Sequence, residues 1–273
     1  MISAVEDLAR LLSAGNVVVV SGAGLSTTAG LPDYRGNGGG ETPSVTYDMF
    51  VSNPMWQRWV WQRNQETWRA LDALAPTRGH LLLSSWERDG IITGTATQNV
   101  DGLHAKAGSV RVAEMHGSFT RVACIDCGEI TSRRELDSRL RALNPYTVDD
   151  PQPGHAAVLA EADSGAAAAS TFIVAPCATC GGTLKPDIVF FGETVQALDE
   201  AFEFADDAKT ILVLGSSLLV MTGMWVVSRG LSSGAALAIV NAGPTQADRL
   251  ADLRIDTPID AVLAEADALL RGE

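Results

Sequence analysis

Long apolar runs are absent from this chain, and with them any stretch near the ~20 residues that cross a bilayer as a helix. Apolar segments such as Val17–Val20 and Ile211–Leu214 have only the length of strands. Basic residues are scarce too: 20 Lys and Arg stand against 33 Asp and Glu, a net charge of −13. A field of that sign repels phosphate backbones, which argues against direct nucleic-acid binding and favours a cationic partner such as a lysine-rich polypeptide. The first residues, Met1-Ile2-Ser3-Ala4-Val5-Glu6-Asp7, lack the basic start of a secretory or transit peptide. The expected location is therefore the cytoplasm, without membrane association. Cysteine is limited to four residues, and a reducing compartment works against pairing them as disulfides.

What is present is a globular composition. Apolar residues make up 46% of 273, enough for one large core or a large domain plus a small one. Residues 4–14 have helical spacing closed by Gly15. Four short apolar runs follow along the chain: Asn16–Val20, Gly90–Ala96, Thr210–Leu214 and Ala235–Val240. Runs of this kind predict strands buried on both faces, hence a parallel sheet covered by helices. Each run ends on small or polar residues: Ser21-Gly22-Ala23-Gly24, Thr97-Gln98-Asn99-Val100-Asp101, Gly215-Ser216-Ser217 and Asn241-Ala242-Gly243. Ligands of open α/β sheets bind beyond the carboxyl ends of the strands, so these four endings predict one shared binding site.

Two segments interrupt the pattern. Residues 36–80 hold Gly38-Gly39-Gly40 and then the tryptophan-rich stretch Trp56–Arg63, read as a loop followed by a small helical module whose tryptophans pack. Residues 119–183 hold all four cysteines, with a surface excursion at 144–170 rich in Pro, Asp, Gly and Ala. Cys124-x-x-Cys127 and Cys177-x-x-Cys180 are two knuckles that together supply the four thiolates of a tetrahedral zinc site. A redox dithiol has no need of two copies, and an iron–sulfur cluster has no evident electron-transfer partner. With four cysteine ligands there is no open position for a catalytic water, so the zinc is structural.

The loop Gly22-Ala23-Gly24-Leu25-Ser26-Thr27 follows the first strand. Glycines at such a turn let backbone N–H groups approach a pyrophosphate, and Ser26 can cap the following helix or bond a phosphate. The dehydrogenase fingerprint is not met: Thr27 stands where a third glycine belongs, and residues 36–46 offer no second strand with a terminal acid. Of four histidines, His80 reads as a helix-start residue and His155 as solvated. His104 and His116 both lie near the polar strand ends, and residue type alone does not separate them.

The segments Gly22–Ser26 with Gly30–Arg35, Thr97–His104, Glu114-Met115-His116-Gly117, Lys185–Glu193, Gly215–Leu218 and Asn241–Thr245 occur in the same order as in the sirtuins. The chain resembles that family over residues 16–260, and its details are most similar to the class II branch. One departure is Met221-Thr222 after Val220, where many members carry proline; it is expected to alter a loop near the peptide and not the chemistry.

The resemblance implies a Rossmann-like doubly wound parallel sheet in 1–118 and 184–273, with the helical module at 36–80 and an inserted zinc-ribbon module at 119–183. It implies an NAD-dependent protein lysine deacylase that transfers the acyl group to ADP-ribose and releases nicotinamide. The partner is then an acyl-lysine protein or peptide, and the cofactors are NAD and zinc. His116 becomes the general base, with Asn99 and Asp101 beside the nicotinamide. NAD contacts extend over Gly22, Ala23, Gly24, Ser26, Thr27, Asp33, Tyr34, Arg35, Gln98, Asn99, Val100, Asp101, Gly215, Ser216, Ser217, Asn241, Ala242, Gly243 and Ile259. The segment Val189-Phe190-Phe191-Gly192-Glu193 is read as a strand that pairs with substrate backbone. The zinc ligands are Cys124, Cys127, Cys177 and Cys180. A mono-ADP-ribosyltransferase or a non-catalytic acyl-lysine module could use the same scaffold; the intact His116, Asn99 and Asp101 oppose the latter. Family members that remove acidic acyl groups present a Tyr-x-x-Arg pair. Here Tyr34, Tyr47 and Tyr146 are followed three residues later by Asn37, Phe50 and Asp149, so no such pair exists. Arg58, Arg63 and Arg69 are conceivable substitute cations.

Overall fold

The structure is a computed structural model that describes residues 3–32, 45–145 and 171–272. Its contacts divide the chain into two compact units, one of Met1–Asp33, Ala75–His116 and Val195–Glu273 and the other of Tyr34–Leu74 and Gly117–Thr194.

The first unit carries a six-stranded parallel sheet. Its strands in chain order are β1 (Val17–Ser21), β2 (Ile92–Thr97), β3 (Val112–Glu114), β7 (Thr210–Leu214), β8 (Ala236–Val240) and β9 (Leu253–Ile255), with spatial order β3-β2-β1-β7-β8-β9. That is the order 3-2-1-4-5-6 of a doubly wound nucleotide-binding sheet, reversing direction between β1 and β7. The four strands expected from the apolar runs are all present. The two that sequence missed, β3 and β9, are three-residue edge strands too short to show a pattern.

Alternate side chains of the central strands feed opposite faces. Val17, Val19, Leu212 and Leu214 pack with Leu8, Leu12, Leu83, Trp86 and Leu263. These come from helices α1 (Ala4–Ser13), α4 (Arg78–Arg88) and α9 (Ile259–Arg271). Val18, Val20, Ile211 and Val213 pack with Ala201, Phe204, Val226 and Val227 of α7 (Leu198–Asp206) and α8 (Met221–Ser232). Each such fully buried valine or leucine contributes roughly 1.5–3 kcal/mol. Helix α1 starts at a Ser3/Glu6 capping box, and the chain leaves it through Gly15 at φ 68°. His80 lies in the first turn of α4, whose N-cap is Thr77, as the sequence indicated.

The second unit holds an antiparallel sheet of order β5-β4-β6, made of β4 (Gly117–Cys124), β5 (Ile130–Ser132) and β6 (Leu184–Ile188). Helices α2 (Tyr47–Ser52), α3 (Pro54–Ala73) and α6 (Arg133–Leu143) complete it. Asn53 caps α3 and Pro54 opens it. The tryptophans of α3 do pack: Trp61 is fully buried and donates Nε1–H to Leu184 O at 2.8 Å. Arg133, also fully buried, lies over Trp61 and Trp68 and donates Nε–H to Asn64 Oδ1 at 2.8 Å. Burial draws its pKa down to about 10, with nearby Asp137 opposing the fall, so it stays charged at neutral pH.

The two cysteine knuckles have matching turns. Gly128 N donates to Cys124 O and Gly181 N to Cys177 O, each at 2.9 Å, with both glycines at positive φ. The four sulfurs lie within 4.8 Å of one another, with Cys124–Cys180 at 3.6 Å and Cys127–Cys177 at 3.9 Å. A tetrahedron with Zn–S bonds of 2.3 Å has edges of about 3.8 Å, so the sulfurs already stand at zinc-binding distances. Cys124 and Cys177 also belong to the hydrophobic cluster around Trp61, Leu136 and Leu140, which joins metal binding to packing. Such a site typically contributes ~10–16 kcal/mol of apparent binding energy. Cys124→Ala is expected to reduce bound zinc below one equivalent and to lower the melting temperature, measured by metal analysis and calorimetry. Full stability without the metal would contradict the structural role.

Candidate functional site

The polar strand ends of the first unit do converge. Where β1 and β7 end, two loops meet backbone to backbone: Gly22 N donates to Leu214 O at 3.0 Å and Gly24 N to Gly215 O at 2.8 Å. A Cβ on Gly22 would lie 2.8 Å from Gly215 O, and one on Gly24 2.7 Å from Gly215 Cα. Gly215 itself sits at φ 62°. These glycines therefore serve loop-to-loop contact, and the Gly22 and Gly24 amides are committed within the protein. Any approach of the loop's backbone to a pyrophosphate would therefore fall to its other amides. Ala23 opens a 3₁₀ helix, Ala23–Ala29, and Thr27 is exposed on it, with its hydroxyl donated to Gly24 O.

Beneath this contact is a buried polar layer. Ser26 neither caps the helix nor is open to a ligand: it is buried and donates to Asp101 Oδ2 at 2.7 Å. Asp101 Oδ1 accepts Leu103 N at 2.9 Å, at the start of α5 (Leu103–Ala107). Both oxygens of Asp101 thus have protein donors. Asn99 Nδ2 donates to Gly22 O and Ser26 Oγ at 3.1 and 3.2 Å. Its Oδ1 makes no hydrogen bond among the described residues, which leaves one oriented acceptor at the carboxyl end of β2. Val100 beside it is half-buried.

The two histidines separate clearly. His104 is buried, with Nε2 2.8 Å from Ser21 Oγ; the Ser21 hydroxyl is donated to Thr97, so Nε2 carries the hydrogen. Its ring meets that of His80 edge to face at 4.8 Å. Desolvation, and secondarily the proximity of His80, lower the His104 pKa to about 3. It is a neutral structural group.

His116 is half-buried and follows Met115, which is fully buried. Met115 N donates to Thr97 O, and Met115 O accepts Gln196 N, so the main chain before the imidazole is held from both sides. His116 Nδ1 lies 3.0 Å from Gln98 O, an atom that only accepts, so Nδ1 carries the hydrogen. Nε2 is then the lone-pair atom, 3.0 Å from Thr222 Oγ1. Desolvation lowers the pKa, partly offset by the Gln98 carbonyl. The result is a neutral imidazole with a defined tautomer, suited to accept a proton.

The remaining expected positions fall around the same strand ends. Ser216 is buried and donates to Gln98 Oε1 at 2.8 Å; Ser217 O accepts Gln246 N. Asn241 uses Nδ2 to hold Gly243 O at 2.9 Å, and Ala242 is exposed beside it. Ile259 begins α9 and packs at the margin of the helix-covered face. Asp33, Tyr34 and Arg35 lie outside the described residues. The sequence reading missed Thr222. It was expected to alter a loop and leave the chemistry alone, yet it is buried in the first turn of α8 and touches the lone pair of His116. A partner 106 positions away leaves no local signal.

In the second unit, Val189–Glu193 is not a strand. β6 stops at Ile188, and of these five residues only Phe191 makes a bridge, to Thr46. The reason is Glu193, whose Oε2 folds back to accept Phe190 N at 2.7 Å and Lys185 Nζ at 2.9 Å. Phe191 is left 70% exposed.

The enclosed His104 has a stability consequence. Its folded pKa is depressed from 6.5, so the unfolded chain binds the proton first as pH falls, and stability is lost from about pH 6.5 downward. At pH 5 the loss from this one group is roughly 2 kcal/mol. Denaturant titrations at pH 7 and pH 5 should show a smaller pH-dependent loss in His104→Asn than in the wild type.

Comparison with known proteins agrees with this architecture. The Sir2 family model matches residues 22–222. The chain is 41% identical over 261 residues to "NAD-dependent protein deacetylase 1" of Mycobacterium avium (strain 104), covering 94% of this chain and 93% of that one. It is 37% identical over 275 residues to the human "NAD-dependent protein lipoamidase sirtuin-4, mitochondrial", covering 96% and 86%. A solved structure described as "Sir2-p53 peptide-NAD+" superposes with a TM-score of 0.69 at 28% identity, covering 98% of each chain. With the doubly wound sheet, the four-cysteine cluster and the Gln98–His116 geometry in place, the chain belongs to the Sir2 family, the sirtuins.

Proposed function

We propose that the protein is an NAD-dependent protein lysine deacylase that moves the acyl group of an acyl-lysine polypeptide onto ADP-ribose with release of nicotinamide. The observation that carries this reading is His116: a neutral imidazole, its Nδ1–H bound to a backbone carbonyl and its Nε2 lone pair turned to the Thr222 hydroxyl, among the polar strand ends of a doubly wound sheet. The names of relatives that cover nearly the whole chain support it.

NAD would supply the electrophilic ribose carbon and the acyl acceptor. The free Oδ1 of Asn99 fits an N–H or O–H donor such as a carboxamide or ribose hydroxyl. The exposed or half-exposed Ala23, Gly24, Thr27, Val100, Ser217, Ala242 and Gly243 are where the chain would line the dinucleotide, together with Asp33, Tyr34, Arg35 and Ile259. Gly22, Ser26, Gln98, Asp101, Gly215, Ser216 and Asn241 hold that lining in place through the bonds described above. A carbonyl oxygen is a weak nucleophile, so the fixed network matters: positioning can contribute ~7–11 kcal/mol. His116 Nε2 is the atom at which the protein takes up a proton. The segment 189–193 would meet the substrate backbone as a turn continuing β6. The zinc takes no chemical part. The net charge of −13 suits a lysine-bearing partner and opposes nucleic acid. No helix among the described residues is long and apolar enough to cross a membrane. Four cysteines kept as metal ligands suit a reducing compartment, and we place the protein in the cytoplasm.

His116→Ala is expected to reduce deacylation by about 10²–10⁴-fold while NAD still binds, measured by mass spectrometry of an acyl-lysine peptide and by calorimetric titration. His104→Ala is the control; loss of turnover there and not at His116 would reverse the assignment. Because the lone-pair form of His116 is active and its pKa is lowered, kcat should hold at neutral pH and decline only below about pH 6.5.

Acidic acyl groups should be poor substrates. Among the substitute cations, Arg69 is already paired with Asp137 at 3.4 Å and Arg63 lies over Trp59, so Arg58 is the one an acidic acyl group would have to recruit. An unpaired carboxylate in an apolar channel costs several kcal/mol, so succinyl-lysine should fall roughly 10²-fold or more below the best neutral acyl group in kcat/KM. Acetyl, lipoyl, long-chain acyl and succinyl groups on one peptide provide the comparison; succinyl as the best substrate would overturn the expectation.

A further inference from the structure

The hydrogen positions around His116 follow one from another. Leu218 N–H donates to Ser216 Oγ at 3.1 Å, so the Ser216 hydroxyl hydrogen is directed to Gln98 Oε1 at 2.8 Å. That fixes which way the Gln98 amide faces. Its Nε2 donates to Val220 O at 3.1 Å and to Thr222 Oγ1 at 3.0 Å. Receiving that bond, the Thr222 hydroxyl directs its own hydrogen to His116 Nε2 at 3.0 Å. α8 is shaped to admit this arrangement: a Cβ at Gly223 would sit 3.0 Å from Gln98 Oε1. Thr222 is 4% exposed, so water does not compete freely for its hydroxyl.

We propose that Thr222 is a positioning residue for His116, its hydroxyl holding the imidazole in plane and keeping Nε2 as the proton-accepting atom until substrate takes its place. The proposal rests on His116 being the base of the deacylase. Gln98 grips the imidazole twice, through its carbonyl on Nδ1 and through its amide by way of Thr222 on Nε2, so both ring nitrogens are set by one residue at the end of β2. None of Gln98, Ser216 and Thr222 titrates, and no charged group contributes to the lowered pKa of His116. A hydroxyl donating to Nε2 favours the neutral ring, since a protonated Nε2 has no lone pair to receive it.

The test is Thr222→Val against Thr222→Ser, read by histidine NMR titration and by kinetics. Loss of one neutral hydrogen bond should lower kcat about 3–10-fold and raise the His116 pKa by about 0.5 to 1, with KM for NAD unchanged. Thr222→Ser should recover most of both. A wild-type titration in Thr222→Val, or equal impairment in the serine variant, would overturn the proposal. Absence of acyl-lysine turnover in the wild type would sink the deacylase reading instead, while the titration would still judge the hold of Thr222 on the ring.

Discussion

The close approach of the Gly22–Gly24 loop to Gly215 is the constraint on which the site depends. Adjacent parallel strands β1 and β7 place their carboxyl ends side by side, and side chains at these positions would drive the loops apart. With the loops in contact, Gly22 O is where Asn99 anchors its amide, and Ser26 is where Asp101 anchors its carboxylate. The end of β2 is thereby locked to the end of β1. Gln98, one residue before Asn99, then sets His116 through its carbonyl and Thr222 through its amide. Backbone packing between two loops thus reaches, in three steps, the tautomer of one imidazole.

Metal and core are joined in the second unit by a different logic. Cys124 and Cys177 are buried beside Leu136, Leu140 and Trp61, while Cys127 and Cys180 face solvent. Two ligands are thus tied to the hydrophobic cluster and two are held by glycine turns. Arg133 adds a charge at the centre of the same unit, tolerated because Asn64 and Asp137 satisfy it in part and two indole faces replace water.

Much of this was legible in the sequence. A parallel sheet covered on both faces writes continuous apolar runs, so β1, β2, β7 and β8 stood out, and Gly15 marked where α1 stops. Cysteine knuckles are local, so their spacing pointed to a four-thiolate metal site. What stayed hidden was set by contacts across long stretches of chain. Ser26 could be read as a cap or a phosphate ligand because its true partner, Asp101, lies 75 positions away. The run Val189-Phe190-Phe191 has the composition of a strand, but Glu193 bonds the Phe190 amide and turns the backbone. Thr222 carried no local signal, since its importance comes from the direction of another residue's amide.

The tryptophan-rich α3 has one more consequence, for how this protein reports its own unfolding. Four of the six tryptophans, Trp56, Trp59, Trp61 and Trp68, lie on that one helix of the second unit. Indole emission therefore registers chiefly the environment of α3, while far-ultraviolet dichroism registers the helices of both units. Transitions followed by the two signals need not coincide even where the doubly wound sheet itself unfolds in a single step. Emission is thus weighted by number towards the zinc-bearing unit, while Trp86, buried against the doubly wound sheet, reports on the other.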